Sequence, residues 1–290
     1  MSGELITDDG QVQFKDYLLG DNEKTFLVSL TGWEDLPSVD SSNTIRPASH
    51  GAWPGKKLAG QRIVTWSGRF AADESTWAED IEELKSVFSL PIGTEEYELV
   101  VRTRTTTMLV YGTVSARSIP VDYAYSYYGA SLTLQFECSD PRKYSLGEHN
   151  VFISMPADSE DGLDYPLVYP LDYGAAAPSS SMNLINAGDA VSPMLITING
   201  PTTNPTILNS TTGKILSFDI TLAPTDDLVI NTRNGTVLLN GTADRLYTRT
   251  LTSSPIVGFN LIPGENQITV YSDTWSSGSG AEIVYRDAYL

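Results

Sequence analysis

Short segments in which apolar and polar residues alternate, each bounded by glycine, proline or aspartate, occupy both halves of this 290-residue chain. In one of them, residues 130–138, Leu132, Leu134 and Phe136 alternate with polar residues. A period of two residues is typical of β-strands that bury one face. The sequence therefore predicts a mainly β protein, and apolar residues, at 41% of the chain, are sufficient for a core.

The first half of the chain contains a series of predicted strands that share β-branched and aromatic residues and turn-forming boundaries. These strands are placed at residues 25–30, 61–72, 96–103, 108–119 and 130–138. The last of them ends at Cys138, the one cysteine of the chain. The alternation predicts that Cys138 is an inert buried thiol, and a single cysteine excludes an intramolecular disulfide.

One α-helix is predicted in the first half, over residues 76–88. Its apolar side chains recur at helical spacing and form one stripe; they are Trp77, Ile81, Leu84 and Phe88. Thr76 and Glu79 have the spacing of a capping box. Acidic residues crowd the first turns, where they favour the helix dipole, and we expect the acidic face to be solvated.

The strand pattern stops at Asp140-Pro141, and residues 139–181 mix proline, glycine, serine, aspartate and tyrosine without periodicity. Short strands resume at Met182, with turns at intervals of about ten residues, as in a sandwich or jelly roll. Asn234-Gly235 is a strong hairpin signal. The predicted organisation is an N-terminal domain, 1–145, a linker or extended arm, 146–182, and a C-terminal domain, 183–290.

The chain is strongly acidic, with a formal net charge of −18. Nucleic-acid binding and adsorption to anionic membranes both require clustered lysine and arginine, so neither is predicted. The N-terminus lacks the pattern of a signal peptide, and no apolar run is long enough for a membrane helix. We expect a soluble chain that is made in a reducing cytosol.

The sequence contains no recognisable catalytic or metal-binding motif. The two histidines, His50 in a Pro- and Gly-rich loop and His149 in the linker, are interpreted as surface or turn residues. The neighbouring carboxylates Asp226 and Asp227 point to opposite faces if they lie in a strand. The segment 158–165 resembles the start of a calcium loop, but it lacks the closing glutamate. No catalytic residue, metal or cofactor is predicted.

Exposed aromatic residues leave functional alternatives open. Tyr123, Tyr125 and Tyr127 alternate along the chain and are predicted to share one face, either as a protein contact or as a half-exposed strand. Trp275, with Tyr247, is the candidate for a sugar platform on the C-terminal domain. A glycoside hydrolase would need two convergent carboxylates, and the sequence offers no pair of this kind.

Five motifs occur in an order that resembles a known family. They are "RPASHGAWPGKKLAGQRIVTWSGRF" at 46–70, "LVYGTVSARSIP" at 109–120, "LQFECSDPRKY" at 134–144, the segment 186–218, and "GFNLIPGENQIT" at 258–269. Their order is similar to that of distal tail proteins, the baseplate-hub subunits of long-tailed, non-contractile bacteriophages. The resemblance covers both predicted domains, but residues 156–181 have no counterpart in it.

This resemblance implies a fold and an assembly. The first half would be a belt domain, a β-sandwich with one helix and a protruding hairpin or arm, and six copies would close into a ring around the tail channel. The second half would be a galectin-like jelly roll. The ring would join the tail tube protein to the tail-tip hub or tail-associated protein, with the tape measure and receptor-binding proteins as further candidate partners.

The protein would then be a structural component of the virion tail tip and not an enzyme. The alternative is a carbohydrate-binding module or adhesin that recognises host glycans through the C-terminal jelly roll. Under the ring hypothesis the predicted interface residues lie in the loop, in the tyrosine segment and in the linker; they are His50, Trp53, Tyr123, Tyr125, Tyr127, Tyr165, Tyr169 and Tyr173.

Overall fold

The computed structural model of the chain describes residues 3–155, 180–276 and 278–290. The chain divides into two units, Met1–Leu146 with Leu290, and Gly147–Tyr289. Each unit has a hydrophobic core of its own. The prediction of a mainly β protein is confirmed, and the fold of each unit follows from which strand faces are apolar.

The N-terminal unit contains twelve strands and one α-helix in the described residues. The elements, in chain order, are β1 Val12–Phe14, β2 Tyr17–Leu19, β3 Thr25–Thr31, β4 Val39–Ser41, β5 Thr44–Ile45, β6 Ala52–Trp53, β7 Lys57–Ala59, β8 Arg62–Ala71, α1 Trp77–Val87, β9 Tyr97–Arg102, β10 Thr107–Ser118, β11 Gly129–Cys138 and β12 Lys143–Ser145. The five predicted strands correspond to β3, β8, β9, β10 and β11, which begin or end within two residues of the predicted limits.

The main sheet of this unit is antiparallel and has the strand order β2-β1-β9-β10-β11-β8-β3, with β12 also paired to β10. The long strand β10 pairs first with β9 and then with β11, and its register shifts between Val114 and Ala116. A bulge of this kind bends a sheet. The predicted buried face of β11 is confirmed, since Leu134, Phe136 and Cys138 are all fully buried.

Helix α1 packs its apolar stripe into the same core, through Ile81 and Leu84. The predicted capping box is wrong, because Thr76 makes no side-chain capping hydrogen bond. Its hydroxyl group instead lies 3.5 Å from the carbonyl oxygen of Asp73. One residue of the acidic face is also not solvated: Asp80 is buried, and its carboxylate accepts a 2.7 Å bond from Lys24 Nζ.

The C-terminal unit contains fourteen strands in the described residues. They are β13 His149–Ser154, β14 Ser181–Asn186, β15 Met194–Asn199, β16 Thr202–Thr203, β17 Thr206–Asn209, β18 Lys214–Ser217, β19 Thr221–Leu222, β20 Asp227–Asn231, β21 Thr236–Leu239, β22 Ala243–Asp244, β23 Gly264–Tyr271, β24 Thr274–Trp275, β25 Gly280–Tyr285 and β26 Ala288–Tyr289. Short 3-10 helices lie at Tyr125–Tyr127 in the first unit, and at Leu246–Thr248 and Ile256–Gly258 in the second.

Two sheets of the C-terminal unit enclose its core. One has the order β13-β25-β15-β20-β21-β22 and the other β14-β23-β17-β18. Ile196, Ile230 and Ile283 from the first sheet belong to the same buried cluster as Ile207 and Ile268 from the second. The unit is therefore a sandwich of two sheets, and each strand alternates buried with outward-facing residues.

The observed strands test two sequence-based predictions for the C-terminal half. The hairpin predicted at Asn234-Gly235 is confirmed, since β20 and β21 pair antiparallel on either side of it. The second unit begins inside the predicted linker, because His149–Ser154 form β13, which pairs along its length with β25. Residues 156–179, which make up most of that linker, lie outside the described part of the chain.

Candidate assembly interface

The most exposed part of the N-terminal unit is a β-hairpin between β3 and β8, which we call the exposed hairpin (residues 36–60). Its strands pair in two short ladders, β4 with β7 and β5 with β6. At its tip, Arg46 N–H donates to the Gly51 carbonyl at 3.2 Å. Near the middle, a Cβ atom on Gly55 would lie 2.1 Å from the Ser42 carbonyl oxygen, so only glycine fits there.

No residue of the exposed hairpin is buried. Its apolar side chains instead face solvent, with Ile45 81% and Trp53 51% exposed. The others of this kind are Leu36, Val39 and Leu58. Isolated apolar residues on a surface are ordinary, but a group of them on one projecting element is typical of a protein contact.

The charge of the exposed hairpin is opposite to that of the chain as a whole. Arg46, Lys56 and Lys57 outweigh the single carboxylate Asp40, whereas the net charge of the chain is −18. The Arg46 guanidinium also lies 5.7 Å from the centre of the Trp53 ring, within the range of a cation–π contact. The hairpin therefore combines exposed apolar surface with positive charge.

Two of the predicted interface residues, His50 and Trp53, lie on this hairpin, and both side chains are exposed. The structure thus brings them together with Ile45, Val39 and Leu58, which the sequence did not single out as interface residues. Because the segment is rich in proline and glycine, its sequence predicts a loop. The signal available in the sequence was the presence of isolated large apolar residues between those breakers.

The start and end of the exposed hairpin are held by the body of the N-terminal unit. Trp33, just before it, is buried, and Lys143 Nζ lies 5.7 Å from the centre of its ring. Arg62, just after it, is only 1% exposed. The Arg62 guanidinium group donates hydrogen bonds to main-chain carbonyl groups of residues 32–35, directly before the hairpin, and of Pro141.

The second predicted interface segment has a different geometry from the one expected. Tyr123, Tyr125 and Tyr127 do not alternate along a strand, because Tyr125–Tyr127 form a 3-10 helix. Tyr123 and Tyr127 are exposed and their ring centres lie 4.7 Å apart, while the Tyr125 ring packs edge-on against Trp77 at 5.2 Å. The prediction of one shared face is wrong for Tyr125, because its ring contacts Trp77 of helix α1 while the other two tyrosines face solvent.

The two candidate sugar-binding residues of the C-terminal unit differ in how exposed their rings are. Trp275 lies in strand β24, not in a loop, and packs against the core with its indole Nε1 buried. Tyr247 is 77% exposed and lies in a 3-10 helix, with the Arg245 guanidinium 6.0 Å from its ring centre. A sugar platform needs an open aromatic face, and Trp275 offers only a partly covered one.

The remaining predicted residues divide between a strand and the undescribed segment. His149 begins β13; its Nε2 lies 3.2 Å from an Asp287 carboxylate oxygen, and its ring stacks on Tyr285 at 4.8 Å. It is therefore part of the sheet and not of a linker. Tyr165, Tyr169 and Tyr173, the predicted linker contacts, lie outside the described residues.

A buried polar network lies close to the end of β11. Asp140 accepts two 2.7 Å bonds from the Arg142 guanidinium and one of 2.6 Å from the Tyr144 hydroxyl. Burial opposes ionisation of Asp140, but these donors outweigh burial and hold the pKa of the Asp140 carboxyl below its usual value. The network therefore links residues within the "SDPRKY" segment.

Among the residues that the structure describes, no group of three or more His, Cys, Asp or Glu side chains could hold a metal ion. The described helices include none that is long and apolar enough to cross a membrane. The exposed hairpin and the tyrosine segment are the predicted contact surfaces that the described residues include.

The two-sheet C-terminal unit belongs to a known class of domain. Residues 187–289 match the family model of the siphovirus-type tail component, C-terminal domain. Over these residues the chain is similar to a viral tail component, and the predicted location in the virion tail is confirmed at this level. No curated protein sequence matches the chain.

Solved structures extend the comparison to the whole chain. It is similar to the phage SPP1 Dit protein (gp 19.1), with a TM-score of 0.64 at 14% identity, covering 98% of this chain and 100% of that one. It is also similar to a chain of the phage P2 baseplate in its activated conformation with calcium, with a TM-score of 0.57 at 11% identity and coverage of 95% and 97%. The strontium form of that baseplate gives a TM-score of 0.57 at 12% identity.

These matches confirm the resemblance that the sequence motifs indicated. The family match identifies the C-terminal domain, and the structural matches show that the fold of the whole chain is the one found in SPP1 Dit. At such low identity the solved structures establish the fold alone.

Proposed function

We propose that this chain is a non-catalytic structural subunit of a phage tail tip, in which six copies close into a ring. The ring would join the tail tube to the tail-tip hub and to the receptor-binding apparatus. Support comes from the tail-component domain and from the shared fold of SPP1 Dit, which is described as part of a hub adsorption apparatus in phages that infect Gram-positive bacteria. The observation that carries the proposal is the exposed hairpin, which has exposed apolar side chains and positive charge but no buried residue.

The exposed hairpin supports self-association because of its apolar groups and its charge. Ile45 and Trp53 leave apolar surface in water that a contact would bury. The positive charge of Arg46, Lys56 and Lys57 is attracted to the acidic surface that a second copy of the chain presents. A hairpin on one copy that meets the body of the next is a heterologous contact, and such contacts form rings when the rotation closes.

The ring is tested on the purified full-length protein by light scattering coupled to size-exclusion chromatography and by negative-stain electron microscopy. We expect annular particles with one defined mass. Trp53→Ala should shift the population towards the monomer without changing the unfolding transition, because Trp53 contributes to neither core. Tyr247→Ala is the matched control, since it removes an even more exposed aromatic ring from the C-terminal unit and should leave the rings intact.

A wild-type protein that stays monomeric at micromolar concentration, with no annular particles, would contradict self-assembly. A Trp53→Ala variant that unfolds would place this residue in a core instead of an interface. Detection of turnover of any small molecule by the wild-type protein would contradict the non-catalytic assignment.

A further inference from the structure

Arg62 is the first residue of β8 and the first residue of the body after the exposed hairpin returns. Its Nη1 donates hydrogen bonds to the carbonyl oxygens of Gly32 at 2.8 Å, Trp33 at 3.0 Å and Asp35 at 2.8 Å. Residues 32–35 lie directly before the hairpin. One side chain therefore connects the end of the hairpin to its beginning.

The same guanidinium group also reaches a third segment of the unit. Arg62 Nε donates to the Pro141 carbonyl oxygen at 2.8 Å, in the turn that follows β11. The base of the exposed hairpin is thus bonded both across its own two strands and to the body of the unit. The fork of donors on a guanidinium is what allows one side chain to serve separate carbonyl groups.

The environment of Arg62 is costly to maintain. The side chain is 1% exposed, and its hydrogen bonds in the described structure all end on main-chain carbonyl oxygens. Burial lowers the pKa of the guanidinium group, although arginine remains charged in proteins. A buried charge is retained only where polar partners satisfy it, so the converging carbonyls and the arginine require each other.

The turn that presents these carbonyls is tightly constrained. Gly32 has a φ of +80°, and a Cβ atom there would lie 1.9 Å from the Ile63 carbonyl oxygen. The Gly32 N–H donates to the Asp35 carboxylate at 2.9 Å, which closes the turn. Beyond this point no residue between 36 and 60 is buried, so the direction of the exposed hairpin is set at its base.

We propose that Arg62 is a positioning residue that fixes the direction in which the exposed hairpin leaves the N-terminal unit, and thereby the angle between neighbouring copies in the assembly. The inference rests on the proposed ring. A heterologous contact closes only when each copy adds the same rotation, and a variable angle gives open chains instead. Loss of Arg62 should therefore change the shape of the assembly, whereas loss of Trp53 weakens the contact itself.

The direction of the hairpin can be measured on the monomer, whether or not rings form. Spin labels at Ser49→Cys, on the hairpin tip, and at Ser131→Cys, on β11, report the distance between tip and body by pulsed electron resonance. We expect a narrow distance distribution in the wild-type background and a broad one in Arg62→Met. Arg69→Met is the matched control, since Arg69 lies exposed on the same strand, and it should leave the distribution narrow.

The consequence for assembly is measured by native mass spectrometry and electron microscopy of the full-length variants. Arg62→Met should lose the single ring mass and give a mixture of open arcs and chains of different lengths, and Arg62→Lys should restore little, because lysine lacks the fork. Gly32→Ala disturbs the same turn while the Arg62 side chain itself is kept, and should give the same mixture. Arg69→Met should form rings like the wild type.

Closed rings and a narrow distance distribution in a folded Arg62→Met variant would overturn the inference. So would the failure of both Arg62→Met and Arg62→Lys to fold, because Arg62 would then be a folding residue. If the wild-type chain forms no rings, the proposed function fails, and the distance measurement still decides whether Arg62 sets the direction of the hairpin.

Discussion

Two β-hairpins of this chain have similar lengths of paired strand but opposite surroundings. The hairpin formed by β20 and β21 lies inside a six-stranded sheet and buries Leu228, Ile230 and Val237. The exposed hairpin (residues 36–60) pairs only within itself and buries no residue. The first is stabilised by the core of its own unit. The second has apolar residues without a core, which is why a second protein is the natural explanation for them.

An isolated two-stranded hairpin is at best marginally stable in water. The exposed hairpin therefore depends on its base and on turn geometry, whereas β20 and β21 depend on burial. This difference separates residues that specify the fold from residues that specify the assembly. Three measurements, taken from the largest expected effect to the smallest, test it.

Amide hydrogen exchange on the monomeric protein should show the largest difference. Opening of β20 and β21 requires loss of the core, so its free energy approaches the global value of about 5–15 kcal/mol. The exposed hairpin opens locally at far lower cost, so its amides should exchange at least about a thousandfold faster. Assembly into rings should then slow exchange at Thr44–Ile45 and Ala52–Trp53. Equal protection of both hairpins in the monomer would remove the distinction.

A pair of isoleucine substitutions gives the next largest effect. Ile230→Ala leaves a cavity in the core and should lower the free energy of unfolding by about 2–5 kcal/mol. Ile45→Ala makes the same chemical change at a residue that is 81% exposed, and should alter that free energy by no more than about 0.5 kcal/mol. Chemical denaturation of the two variants checks both values. A large loss for Ile45→Ala would show that the exposed hairpin contributes to a core.

A pair of aspartate substitutions gives the smallest effect and adds a pH dependence. At pH 7, Asp140→Asn should lower the free energy of unfolding by about 1–3 kcal/mol, because the bonds from Arg142 and Tyr144 lose their charged acceptor. Asp40→Asn, on the exposed hairpin, is the control and should have no measurable effect.

The pH dependence follows from the direction of the pKa shift. The pKa of Asp140 is lower in the folded protein than in the unfolded chain, so its stabilising contribution is present above the unfolded value of about 4 and is lost as the pH falls through the folded value. The difference between wild type and Asp140→Asn should therefore shrink below about pH 4. A difference that grows in acid would mean that the folded-state pKa is raised.

Local patterns in the sequence were sufficient for most of the fold. Strands β3, β8, β9, β10 and β11 are rich in β-branched and aromatic residues between turn-forming boundaries, and helix α1 carries an unbroken apolar stripe. Strand β13 was not predicted, because its residues do not alternate between apolar and polar and it follows the break at Asp140-Pro141. The first part of the predicted linker was therefore not recognised as a strand.

The candidate interface was predicted only in part, for a similar reason. His50 and Trp53 are recognisable in the sequence as unusual residues in a loop. The strands of the exposed hairpin are not recognisable, because they are short and interrupted by proline and glycine. The prediction that three tyrosines share one face was wrong. Residue spacing alone does not reveal the helical backbone at Tyr125 or the left-handed backbone at Tyr128. The role of Arg62 requires carbonyl groups from two distant segments to converge, which only a three-dimensional structure reveals.

The exposed hairpin also has a consequence for how such a protein changes over generations. Since none of its side chains belongs to either core, selection for folding would act on it weakly, and under the proposed assembly selection for fit to a neighbouring copy would act on it strongly. Recombination between related viruses could exchange this segment, between the constrained turn at Gly32 and the arginine at position 62, and leave the recipient scaffold intact. The tail tip could then acquire new neighbours without redesigning the subunit that presents them.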